Sequence, residues 1–216
     1  MDKYHHGDLR QALIEATESL LAERGPEGFS LREVARRAGV SPAAPAHHFG
    51  DAAGLLTVVA TLAFDGLAQA LERGNARGTG PRAKLREQGV GYVDFAMRYP
   101  ARFRLMFSAV LSPDEALQRS GNAAFGVLEN GVRAAFGIAP SAPLSEEAWS
   151  ALFALWSVVH GYAHLAIAGR FDPCAGGLDR KRFVAKTLGP MLERVIDGVV
   201  SAPRAARKPR RSRSAR

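Results

Sequence analysis

Two groups of residues have types and spacings that could do chemistry. The first is the run over residues 30–49, Ser-Leu-Arg-Glu-Val-Ala-Arg-Arg-Ala-Gly-Val-Ser-Pro-Ala-Ala-Pro-Ala-His-His-Phe. It holds two helix-start signals, Ser30 with Glu33 three residues on, and Ser41 followed by Pro42. Between them, Ala38-Gly39-Val40 marks a tight junction, because glycine tolerates the backbone that a sharp turn needs. Small Ala35 lets the two helices approach, and Val40 plugs the junction. Two short helices so joined can lay the second one in a DNA major groove. The second group is Trp156, His160 and His164, at i, i+4 and i+8 on one helix face. Two histidines four apart could hold a metal. No Glu follows the first in the zinc-protease pattern, however, and the only thiol, Cys174, sits far along the chain. The expectation is a hydrogen-bonded histidine in a core or pocket wall, with no metal. No phosphate loop, nucleophile–base pairing or metal cluster is legible, so neither an enzyme nor a cofactor is expected.

Helices must position these residues, since strand signals are nearly absent and the expected fold is all-α. Asp8 is expected to cap the first helix, with Gln11 three residues on. Leu9, Ala12, Leu13, Ala16, Leu20 and Leu21 form its apolar face, and Gly25-Pro26 ends it. The capping box at residues 30–33 opens a short second helix with Leu31, Val34, Ala35 and Ala38 inward. Ser41 caps the third, and the fourth runs over 52–71. Residues 74–81 read as a Gly-rich linker. Further helices are expected over 82–98, 101–111, 114–136, 145–169 and 179–200, about nine in all.

Composition narrows the class. Of 216 residues, 47% are hydrophobic and 23% charged, which suits a globular chain long enough for one or two domains. No uninterrupted apolar run reaches the ~18 residues of a bilayer span, and the first eight residues lack the pattern of a signal peptide. A lone cysteine suits a reducing cytoplasm. The net charge of +8 is uneven: residues 203–216 hold seven Lys/Arg and no acid, whereas residues 1–60 hold six Lys/Arg against eight Asp/Glu. Charge alone points to the tail, so the case for the N-terminus rests on its motif.

The run from Leu9 to Leu56 resembles the DNA-binding domain of the TetR family. The matching marks are the apolar first helix ending at Arg24-Gly25, the Ser30 cap, Val34-Ala35, Ala38-Gly39-Val40-Ser41, His48-Phe49 and Leu55-Leu56. The resemblance implies a homodimer, each protomer reading half of a near-palindromic operator. It places Ser30 and Ser41 at helix N-termini, where a phosphate can bind. It faces Pro42, Ala43, Ala44, Ala46 and His47 toward the groove, with His48 beside them. Alanine and proline can touch thymine methyls but cannot donate a hydrogen bond, which leaves His47 as the candidate for polar base readout. Arg32 is expected to reach a phosphate or base edge; Arg36 and Arg37 read as a solvated face. Two positions depart from the family, which usually has Tyr at Ala46 and Lys at Ala52. The resemblance makes both usual residues phosphate contacts, so their loss weakens sequence-independent affinity.

The later chain resembles a C-terminal subtype of the family with a Trp-His-Gly signature, through Tyr99-Pro100, Phe103-Arg104-Leu105-Met106-Phe107 and Trp156-Ser-Val-Val-His160-Gly161. Phe103, Met106, Phe107, Phe125, Trp156 and His160 are the expected ligand-binding residues, although each aromatic alone also reads as ordinary core. The last two helices, through Leu152, Leu155 and Val159 and through Phe183, Leu188, Leu192, Val195 and Val199, are expected to form the dimer interface. The expected organisation is a helix-turn-helix domain over 1–56, a helical ligand-binding and dimerisation domain over 57–200, and a disordered basic tail over 201–216, either lying along phosphates or simply solvated. The expected function is a cytoplasmic, ligand-responsive regulator, a repressor rather than an activator, that binds double-stranded operator DNA. A small, mostly apolar effector would release it. The alternative is a helical small-molecule-binding protein that has lost specific DNA recognition.

Overall fold

A computed structural model describes residues 6–108 and 110–200; the expected basic tail lies outside them. Nine α-helices are present among the described residues: α1 His6–Arg24, α2 Leu31–Arg37, α3 Ala44–Phe49, α4 Ala52–Arg77, α5 Pro81–Arg98, α6 Pro100–Met106, α7 Glu115–Phe136, α8 Glu146–Ile167 and α9 Arg180–Val199.

Local chemistry explains most of the boundaries. Carboxylate or hydroxyl caps open four helices: Asp51, Asp114, Ser145 and Asp179 each accept a hydrogen bond from the backbone N–H three residues on. Proline opens α5 and α6, where a missing N–H costs nothing. α2 ends in a paired-hydrogen-bond glycine cap. Gly39 has φ +68°, the Gly39 N–H donates to Arg36 O, and the Val40 N–H reaches back to Ala35 O at 3.0 Å. That cap is the tight junction the sequence called for.

Four expectations about boundaries are corrected. α1 already runs at His6, so Asp8 lies within its first turn rather than ahead of it. Ser30 occupies the N-cap of α2 but makes no side-chain capping bond, and the reciprocal arm of the box is absent too, the Glu33 carboxylate being drawn to Arg36 and Arg37. α3 begins at Ala44, with Ala43 as its N-cap, so Ser41 and Pro42 belong to the turn. Pro45 governs this start, since its ring is tolerated only within a first helical turn. Finally, α4 continues to Arg77, through the expected linker. Gly74 sits in the helix because α5 crosses there: a Cβ would overlap the Glu87 carbonyl, and one on Gly91 would overlap the Ala70 carbonyl.

Two apolar cores result. The N-terminal core gathers Leu13, Leu20 and Leu21 of α1, Val34 of α2, and Leu55, Val59 and Ala60 of α4. The larger core gathers the distal half of α4 with α5 to α9, including Val93, Phe103, Val132, Leu152, Leu188 and Leu192. α4 passes through both, so the expected boundary after Leu56 falls inside a continuous helix. α6 is shared as well: Leu105 is buried in the first core, Phe103 and Met106 in the second. Arg102 of α6 adds an ion pair to Glu18 of α1 at 2.6 Å.

α4 and α8 each contain an 18-residue window long and apolar enough to cross a membrane by composition, against the expectation that none would. α4 is accounted for by burial in two cores. α8 buries one face and leaves Trp149, Phe153 and Leu165 exposed. Of the residues expected to face a partner, Leu152, Leu155, Val159, Leu188 and Leu192 are buried inside the chain, where α8 and α9 turn them onto α5, whereas Phe183, Val195 and Val199 are half-buried.

Two tests follow. Alanine normally stabilises a helix interior over glycine by ~1 kcal/mol. At Gly74 the overlap with a carbonyl oxygen reverses the sign, and Gly74→Ala should cost about 1–3 kcal/mol in chemical denaturation; a more stable variant would refute the backbone contact. The second concerns Glu33, whose carboxyl is held down at about 2, first by hydrogen bonds from Arg36 and then from Arg37. A depressed carboxylate stabilises the fold above its unfolded pKa and loses that contribution as pH falls through the folded one. Glu33→Gln should therefore lower the melting temperature at pH 7, and the gap to wild type should close between about pH 4.5 and about pH 2. A gap of equal size at both ends would count against the pairing.

Candidate functional site

The helix-turn-helix surface is built on a fixed floor. Val34 and Ala35 on α2 and Pro45 on α3 are buried, so both helices are anchored by their inner faces. Phe49 is half-buried against the N-terminal core with Arg10 over its ring. α3 leads into α4 without slack: Gly50 has φ +78°, Asp51 caps α4, and a Cβ on Gly54 would overlap the Phe49 carbonyl.

The outer face carries the expected residues. Ser30, Arg32, Ser41, Pro42, Ala43, Ala46 and His47 are exposed; Ala44 and His48 are half-buried. The His47 and His48 rings lie edge to face, 5.5 Å apart. Because Ser30 spends no hydrogen bond on capping, its hydroxyl is available to a ligand. The two arginines behind it are engaged. Arg36 pairs with Glu33 at 2.7 Å. Arg37 bonds to both Glu33 and Glu23, tying α2 to α1, so it is a strut and not the solvated side chain expected. Of the arginines on α2, Arg32 has no such acidic partner within the chain's hydrogen bonds and ion pairs described above.

The second site is a cavity of about 340 Å³ enclosed by α4, α5, α7, α8 and α9. Phe107, Phe125 and Trp156, three of the six expected residues, form part of its wall. The other three do not. Phe103 is fully buried behind Phe107, with ring centroids 5.4 Å apart, and Met106 is buried beside it in the core. His160 lies behind the wall, its ring 4.6 Å from both Phe107 and His164. Its Nδ1 is 2.8 Å from the hydroxyl of Tyr92, which does line the cavity. Burial first, and His164 second, push the His160 pKa down, which keeps the ring neutral. Burial raises the Tyr92 pKa, so the phenol is neutral too.

Sequence reasoning missed Tyr92, Phe64 and Gln88, all on the wall. Tyr92 stands 68 residues before the histidine it bonds, and no local spacing announces that pairing. Gln88 is 98% buried, with its Nε2 donating to Asn75 and its Oε1 without a partner.

Comparison with known proteins agrees with this architecture. Residues 13–59 match the family model for bacterial regulatory proteins of the tetR family, and residues 85–189 match the tetracyclin repressor-like C-terminal domain. Over 87 residues the chain is 37% identical to the HTH-type transcriptional regulator BetI of Yersinia pestis, a match covering 39% of this chain and 44% of that protein. The match thus spans less than half the length of these curated relatives. A solved protein of unknown function from Rhodococcus sp. RHA1 is 31% identical, with a TM-score of 0.71, covering 90% of this chain and 98% of that one. AibR, solved with isovaleryl coenzyme A and operator DNA, shares the fold at 16% identity and a TM-score of 0.60, covering 84% of this chain and 97% of its own. With an N-terminal and a C-terminal family model both matched on a shared fold, the chain belongs to the tetR family of bacterial regulatory proteins, a family of regulators and not of enzymes.

Proposed function

We propose that this protein is a homodimeric repressor that binds a near-palindromic operator and is released when a small molecule fills the 340 Å³ cavity. The observation that carries the reading is the shared packing of α4 and α6. Phe107 lines the cavity, while Leu105, two residues before it, is buried among α1 and α4 under the helix-turn-helix. Phe107 caps the C-terminal end of α6, so a ligand pressing on it pushes on an element that is also anchored in the N-terminal core. Such a ligand therefore has a means of preferring one arrangement of the two DNA-reading helices over another, which is what control by a ligand requires. The division of labour follows: the N-terminal helices read DNA, and the helices beyond α4 hold effector and partner. The coenzyme A thioester and operator bound by AibR support the same pairing of ligand and DNA in one chain of this fold.

In this reading α3 enters the major groove. Pro42, Ala43, Ala44 and Ala46 supply apolar contacts, His47 and Arg32 polar ones, and the Ser30 and Ser41 hydroxyls meet phosphates. The second protomer docks on α8. Trp149 and Phe153, one turn apart on one face of α8, are 39% and 49% exposed, and their rings stack at 5.7 Å. An apolar stripe of this kind marks an interaction surface, and a two-fold axis beside it would bury it against its own copy.

Selection of bound sequences from random DNA tests the function. A palindrome with half-sites about 34–36 Å apart, or a multiple of that, is the expected product. Selection of no sequence would favour the alternative, a ligand-binding protein without specific DNA recognition. His47→Ala should cost about 1–3 kcal/mol at one position of each half-site and leave binding to random DNA unchanged; equal loss on both would sink the assignment. Phe153→Asp should convert a dimer to a monomer in sedimentation equilibrium, and an undisturbed dimer would move the interface away from this stripe.

A further inference from the structure

The chemistry of the cavity wall restricts what can fill it. No Asp, Glu, Lys, Arg or His lines it among the described residues. The only titratable group on the wall is the neutral phenol of Tyr92. A carboxylate, phosphate or ammonium brought inside would lose hydration and meet no counter-charge.

Four polar side chains lie on the wall, Gln88, Tyr92, Asn122 and Trp156. Burial raises the Tyr92 pKa and the indole N–H of Trp156, which can only donate, works against that rise, as a donor near the phenol oxygen does. The same hydroxyl lies 2.8 Å from His160 Nδ1. His160 is neutral, and with its proton on Nε2 the free Nδ1 accepts from Tyr92. In that tautomer the Tyr92 hydrogen is spent on His160, and the Tyr92 oxygen keeps a lone pair for a ligand. A second wall residue, Gln88, has a buried Oε1 without a partner. Its terminal torsion is soft enough to turn the amide toward a ligand.

We propose that the cavity takes an uncharged, largely apolar molecule carrying one hydrogen-bond donor, a phenol, alcohol or ring N–H, that bonds to the oxygen of Tyr92. This rests on the reading that the cavity is the effector site. The aromatic rings of Phe64, Phe107, Phe125 and Trp156 hold the apolar body, and the Tyr92–His160 pair fixes its polar end. A matched ether, unable to donate, keeps the apolar contacts and loses the bond.

The test is calorimetric titration of the full-length protein with 4-propylphenol, 4-propylanisole and 4-propylbenzoate. The phenol should bind about tenfold more tightly than the ether, the size of one net hydrogen bond, and the benzoate should bind most weakly. Tyr92→Phe should reduce the phenol to the level of the ether and leave the ether within about twofold. Ala124→Met, which adds bulk to the wall, should weaken phenol and ether together. Equal binding of phenol and ether to the wild-type protein, with both weakened by Ala124→Met, would overturn the donor requirement while leaving the effector cavity intact. Tightest binding by the benzoate would overturn the requirement for an uncharged molecule. If no probe binds, or if Ala124→Met affects none, the cavity reading fails and this proposal fails with it.

Discussion

The burial of α4 in two cores at once is the constraint on which the rest of the structure depends. Its first turns complete the core beneath the helix-turn-helix through Leu55, Leu56 and Val59, and its later turns complete the cavity-bearing core through Leu67 and Leu71. A helix is stiff over its length because each turn is hydrogen-bonded to the next. Neither half of α4 can change its packing without consequence for the other. The backbone contacts at Gly74 and Gly91 make the distal end still less forgiving, since carbonyl groups, unlike side chains, cannot rotate out of the way. α6 repeats the constraint in miniature, with Phe103 and Leu105 anchored in different cores.

Much of this was legible in the sequence. The all-helical class, the positions of α5, α7, α8 and α9, and the glycine cap at Gly39 follow from apolar periodicity, capping residues and breaker residues that act locally. The misreadings arose where a distant contact overrode a local preference. Glu33 has the spacing of a capping box with Ser30, yet two guanidinium groups offer it stronger, charge-assisted bonds. Gly74 has the look of a loop residue, but glycine was required for the approach of a second helix. On α8 and α9, periodicity reports that a stripe is apolar, not which neighbour covers it: Leu152, Leu155, Leu188 and Leu192 are covered by the chain itself, and Phe183, Val195 and Val199 are left half-buried.

The candidate sites show the same division. Residues 30–48 are contiguous and their exposure follows from two helix periods, so the open face of the helix-turn-helix is legible in the sequence. The cavity draws on five helices. Aromatic bulk pointed to Phe107, Phe125 and Trp156, but equal bulk at Phe103 filled space behind the wall instead. Tyr92 came to notice only when the fold brought it against His160.

The strut formed by Arg37 with Glu23 and Glu33 has a kinetic consequence. It holds one cation of α2 between two acids, while Arg36 is paired with the second of them. With six Lys/Arg against eight Asp/Glu over residues 1–60, the helix-turn-helix half meets the polyanion of DNA without a strong attractive field of its own. On the reading that this face meets DNA, its own charge gives no electrostatic steering, and any attractive field must come from the rest of a chain whose net charge is +8.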